Sequence, residues 1–129
     1  MNVNRIMLLG QSSERDLSQD SQEGVESNIN FNFGLNPSDG KPWPYELTLH
    51  SEITLKKGDS GKNLSPFFVS DLRYAIQFDS PIDDENTPMA LSIAWPYMRE
   101  KLVEQLQLHD IPAMSMVPLS IAVSPAQSQ

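Results

Sequence analysis

The order of hydrophobic periods predicts an α+β domain, a four-stranded antiparallel sheet packed against one long C-terminal helix. Apolar residues alternate with period two in segments as far as Phe78, then recur at three- and four-residue spacing beyond Pro88. Runs rich in Gly, Pro, Asn and Asp separate the segments and supply their turns.

The first strand is read over Asn2 to Leu9, apolar-rich with partial alternation. Residues 11–28 are mostly Ser, Gln, Glu and Asp, with Leu17 and Val25 isolated among them. Such a segment cannot bury itself and is expected to be a polar connection. In the second strand Ile29, Phe31, Phe33 and Leu35 alternate with asparagines and Gly34, as in a half-buried strand. Asn36 to Pro44 is turn chemistry. From Tyr45 to Lys56 the apolar positions Tyr45, Leu47, Leu49, Ile53 and Leu55 oppose Glu46, Thr48, His50, Glu52, Thr54 and Lys56, the clearest period-two signal in the chain. Lys57 to Asn63 is a hairpin loop. Phe67 to Phe78 follows as the fourth strand, with Phe68, Leu72, Tyr74, Ile76 and Phe78 on one face.

After the acidic loop Asp79–Pro88 the helix begins near Met89, with Pro96 either in a first turn or at a kink. Trp95, Met98, Leu102 and Leu106 form its apolar stripe, and Arg99, Glu100, Lys101 and Glu104 turn away. The stripe is the expected cover for the sheet. The helix should end around Leu108 to Asp110, before an extended segment from Ile111 to Ile121. Residues 1–123 then form one domain, with 124–129 a flexible tail.

The chain has 129 residues, nine Lys+Arg against seventeen Asp+Glu, and a formal charge of −8. An acidic surface with scattered cations repels phosphate backbones and anionic lipid, so neither nucleic acid nor a membrane is an expected partner. Cysteine is absent, which removes disulfides, thiolate metal sites and a Cys nucleophile. The apolar run Ile6–Leu9 is too short for a signal segment or a bilayer span, so a cytoplasmic location is expected.

Catalytic chemistry finds little support. His50 sits on the polar face of its strand and reads as a solvated surface residue, while His109 follows the helix and can complement its dipole. Asp83-Asp84-Glu85 lacks the spaced ligands of a calcium loop. Gly58 to Asn63 fails the phosphate-loop spacing, and no Gly-x-Ser-x-Gly elbow exists. The expectation is a non-enzyme with no metal or cofactor.

The segment Trp95-Pro96-Tyr97-Met98-Arg99-Glu100, its helix, and Ile111-Pro112-Ala113-Met114-Ser115-Met116-Val117-Pro118-Leu119-Ser120-Ile121 resemble the SecB family of export chaperones. There a Phe-Pro-Tyr-Ala-Arg-Glu helix start is followed by Phe-Pro-x-Leu-x-Leu-x-Pro-x-x-Phe. Tyr45-Glu46-Leu47, Tyr74-Ala75-Ile76 and Arg5-Ile6 resemble family strands, so the likeness runs over most of the chain. It implies an ATP-independent holdase with a SecB-like fold, assembled as a homotetrameric dimer of dimers through strand and helix contacts. Export members hand clients to the SecA motor through an acidic patch. Those patch positions fall here on Glu14, Val69 and Asp71, with a further family acid replaced by Gly10. The family also includes dedicated antitoxin chaperones of toxin–antitoxin–chaperone systems, some linked to phage defence. The family's final helix has no periodic counterpart here, which with the incomplete patch suggests such a dedicated client, and binding of precursors for export stands beside it as the other expected role.

Met and aromatic side chains adapt to many client shapes, and a client strand can add main-chain hydrogen bonds. The client contacts expected on this reading are Phe67, Phe68, Trp95, Tyr97, Leu102, Met114 and Met116. Met98, Leu102, Val103 and Leu106 are the expected oligomer contacts. The contrasting expectation is a non-chaperone adaptor that keeps this fold and binds one folded partner.

Overall fold

The structure is a computed structural model that describes residues 1–18, 26–38, 42–56, 66–112 and 117–121. Four strands, β1 (Val3–Arg15), β2 (Glu26–Pro37), β3 (Tyr45–Lys56) and β4 (Phe68–Phe78), precede one helix, α1 (Thr87–Leu108). The strands form one antiparallel sheet in the order β1-β4-β3-β2, with β1 and β2 at its edges.

Register assigns the faces. Leu47, Leu49 and Ile53 of β3 stand opposite Tyr74, Leu72 and Phe68 of β4, and all are buried. The helix lies over this inner face and contacts β4, β1 and β2. Its buried residues Ala90, Leu91, Ala94, Trp95, Met98, Leu102, Gln105 and Leu106 recur every three or four positions. Burial holds the Tyr74 phenol up at about 12, neutral in its apolar setting.

β1 runs six residues beyond its expected end at Leu9, which corrects the reading of residues 11–28 as connection throughout. Polarity hid the strand. Its ladder to β4 continues to Arg15↔Phe68, and the inner-facing residues there meet a polar part of the helix instead of core. Gln105 donates through Nε2 to Gln11 Oε1 at 3.1 Å and accepts from the Ser70 hydroxyl. Ser13 Oγ and His109 Nε2 lie 3.0 Å apart, and the Arg15 guanidinium donates to the His109 carbonyl. His109 thus caps the helix and ties its end to β1. Ser51, opposite Ser70 in the same row, is buried and its hydroxyl has no partner among the described residues.

The helix begins two residues before Met89 and runs through Pro96, whose exposed ring costs it one internal bond on the solvent side. Asp83 and Asn86 exchange backbone-to-side-chain bonds of 2.8 Å just ahead of it, so the acidic loop contributes a turn. At the other end of the sheet Asp79 accepts from the Asn2 amide and side chain, which holds its carboxyl below the usual range. Asp110, at φ 57, reverses the chain after the helix. The returning segment packs Val117 into the core, and its Pro118 carbonyl accepts from Trp95 Nε1 and Arg99 Nε, both at 3.0 Å.

Candidate functional site

The sheet and helix do not cover β2 as they cover β3 and β4. Ile29, Phe31, Phe33 and Leu35 project from β2 onto the inner face, pack against the core and remain only partly buried. Phe31 and Phe33 lie 6.2 Å apart, and each meets Trp95 edge-on, at 5.3 and 6.0 Å. Edge-on rings at these distances are in a favoured arrangement and fix one another. The result is an aromatic ledge beside a strand edge with no strand paired to it among the described residues. Phe31 and Phe33 were not among the expected client contacts. Their alternation with asparagine marks a half-buried strand, but its place at the sheet edge follows from strand order, which local periodicity does not carry.

The structure corrects most of the expected client surface. Phe67, Phe68, Trp95 and Leu102 are at most 2% exposed, so these side chains support the ledge from within and offer no free face. Phe67 and Phe68 are drawn in because Phe67 N donates to the Ile53 carbonyl at 2.7 Å and Phe68 opposes Ile53. Tyr97 is 44% exposed on the outer side of the helix, away from that core. Met114 and Met116 lie outside the described residues, as do most of the loop after Lys56 and residues 124–129. The expected oligomer contacts divide similarly. Met98, Leu102 and Leu106 are fully buried in the chain's own core, because the stripe they form is the one that covers the sheet. Val103 alone of the four is only partly buried: it packs against the edge of the core and also lines a shallow depression with Pro96, Arg99 and Leu119.

The patch positions do come together, on the outer face. Glu14 of β1 pairs with Val69 of β4, and Asp71 lies two residues along. Cations dilute them. The Arg73 guanidinium sits 3.7 Å from where a Gly10 side chain would begin, and 3.3 Å from Glu46. His50 is not the free surface residue expected from sequence: its Nδ1 is 2.6 Å from Asp71 and its Nε2 2.9 Å from Glu52. Only the imidazolium donates from both nitrogens, and hydrogen bonds to Asp71 first, then Glu52, raise the His50 pKa above 6.5.

A raised folded-state value makes the clamp's contribution fullest below the unfolded pKa of 6.5 and removes it as pH rises through the folded value. With side chains 35%, 37% and 60% exposed, the effect should stay under about 1 kcal/mol. Denaturation midpoints should therefore fall slightly from about pH 6 to about pH 8, and the His50→Gln variant should show a flatter profile. A wild-type midpoint that climbs relative to the variant over this interval would rule the clamp out.

No group of His, Cys, Asp or Glu among the described residues has metal-binding geometry, and no helix there is long and apolar enough to cross a membrane. No family model and no curated protein matches the sequence. The architecture is nonetheless that of a known class, the α+β fold of SecB-like chaperones. The chain is similar to the Mycobacterium tuberculosis SecB-like chaperone Rv1957, solved in complex with a ChAD peptide from the Rv1956 HigA1 antitoxin. The TM-score is 0.54 at 13% identity, over 95% of this chain and 89% of that one. At this identity the likeness is one of fold.

Proposed function

We propose that this chain is an ATP-independent, cytoplasmic holdase that keeps an aggregation-prone polypeptide from collapsing on itself. The observation that carries the reading is the ledge of Phe31 and Phe33 against Trp95, partly buried beside the edge of β2 that has no strand paired to it among the described residues. Among the described residues the ledge offers apolar area beside main-chain groups that no strand pairs with, which together are what an unfolded segment lacks. The fold neighbour's antitoxin peptide supports a dedicated antitoxin as the client, in a toxin–antitoxin–chaperone system. Handover of export precursors to SecA is the less favoured client route. Gly10 and Val69 lack the charge it needs, and Arg73 and His50 stand where they offset what remains. For self-association, as a dimer of dimers, the outer helix side with Tyr97, Val103 and Leu119 is the proposed contact.

The test is light scattering during dilution of a chemically denatured client, without nucleotide. The protein should suppress aggregation, and unstructured apolar peptides should compete. Phe33→Ser should keep the fold, since Phe33 is only partly buried, and lose most of the protection. Failure to protect any unfolded protein, including one encoded beside it, would refute the holdase. A single folded partner that such peptides cannot displace would establish the adaptor instead.

A further inference from the structure

The two edges of the sheet are built differently. β1 carries Arg5, Glu14 and Arg15, and its register against β4 slips between Val3 and Arg5 and again between Leu8 and Gly10. Charges and bulges of this kind obstruct pairing with another chain. β2 has neither. Between Ser27 and Asn36 it holds no charged residue and no proline, and it pairs with β3 residue for residue from Glu26↔Lys56 to Pro37↔Tyr45.

Along such a strand every second residue points its amide and carbonyl away from the neighbouring strand. The side chains beside that open edge fall into two rows. Ile29, Phe31, Phe33 and Leu35 line the inner side, while Asn28, Asn30, Asn32 and Asn36 are exposed on the outer side. A long, regular, uncharged edge with one apolar row is a template for a further strand.

Resting on the holdase reading, we infer that the open edge of β2 takes its client as a fifth strand, and that the accepted segment is an amphipathic extended peptide. Apolar side chains at every second position lie over the inner row. Polar or basic side chains between them lie beside the asparagines, whose carboxamides both donate and accept. A uniformly apolar segment would leave half of its side chains against that polar row, and a helix could not use the edge.

Charge favours a client over a second copy. Glu52 and Glu46 stand one strand behind Asn30 and Asn36, partly offset there by His50 and Arg73; β2 itself has no cation, and the chain as a whole carries −8. Two copies joined edge to edge would bring these acids toward one another, whereas a basic peptide is attracted to them.

The experiment uses four dye-labelled peptides of about ten residues in an affinity series read by anisotropy. One alternates Val or Phe with Lys or Thr; one has the same composition sorted into an apolar and a polar block. Two are the alternating peptide N-methylated on alternate amides, one for each edge. Assembly mass and the aggregation assay are measured in parallel. The alternating peptide should bind at least about tenfold more tightly than the sorted one. N-methylation of whichever edge faces β2 should cost about tenfold, and of the other edge little. Equal affinity for all four peptides, with aggregation still suppressed, would overturn the fifth strand and leave the holdase standing. Binding that halves the assembly mass would overturn it in favour of a second copy on the edge. Loss of both binding and suppression would remove both readings.

Discussion

Leu102→Asp is expected to unfold the protein, not to split an assembly. Leu102 is fully buried on the stripe between Met98 and Leu106, themselves fully buried, and this stripe is the helix's contribution to the core. Shortening a buried leucine to alanine costs about 2–5 kcal/mol through lost transfer energy and the cavity left behind. A carboxylate there is worse. The buried polar groups of the described residues are Ser51, Ser70 and Gln105, with no cation among them, so the charge would be desolvated without a partner. The combined loss approaches the whole stability of a typical domain, about 5–15 kcal/mol. Circular dichroism and urea titration should show no cooperative transition under conditions where the parent chain is folded. A variant that kept the parental transition and changed only its mass by light scattering would return Leu102 to an interface between copies.

That prediction moves Leu102 from the expected oligomer contacts into the chain's own core, and the reason is general. Period three-to-four spacing of Trp95, Met98, Leu102 and Leu106 establishes that one side of the helix must be covered. It does not say whether the cover is the chain's own sheet, a second copy or a client. The same spacing was enough to place the helix itself, and alternation was enough to place β3 to its ends. In β1 the signal failed after Leu9. There the inner row Gln11, Ser13 and Arg15 is matched to Gln105 and His109, polar partners 94–96 residues away in the chain. A strand held by such partners has no apolar alternation to read.

The candidate site was legible in part for the same reason. Phe31 and Phe33 announce a half-buried row, and Glu14, Val69 and Asp71 lie on the outer face of neighbouring strands. Three facts depended on strand order and register: that β2 is an edge, that Asp71 lies opposite His50, and that Arg73 lies opposite Gly10. These pairings are non-local, and no window of sequence contains both members.

Trp95→Ala should be the second most damaging change, and its anatomy separates packing from hydrogen bonding. Trp95 is fully buried between the aromatic pair of β2 and the returning segment at Pro118. Removal of a buried tryptophan side chain costs about 3–5 kcal/mol. It would also leave Phe31 and Phe33 without the ring that fixes them, so surviving folded protein should bind client peptides more weakly. Trp95→Phe keeps an aromatic ring and deletes the indole donor. The Pro118 carbonyl still accepts from Arg99 Nε, so no acceptor is orphaned and the hydrogen-bond part of the loss should lie near the lower end of about 0.5–1.5 kcal/mol. Arg99→Ala alone should be similarly mild because the indole remains. The double variant strands the carbonyl, and its loss should exceed the sum of the two single losses. Urea unfolding followed by far-ultraviolet circular dichroism measures all four chains. Strict additivity would show that the two donors do not share Pro118, and a Trp95→Ala loss below about 1 kcal/mol would show that the ring is not part of the core.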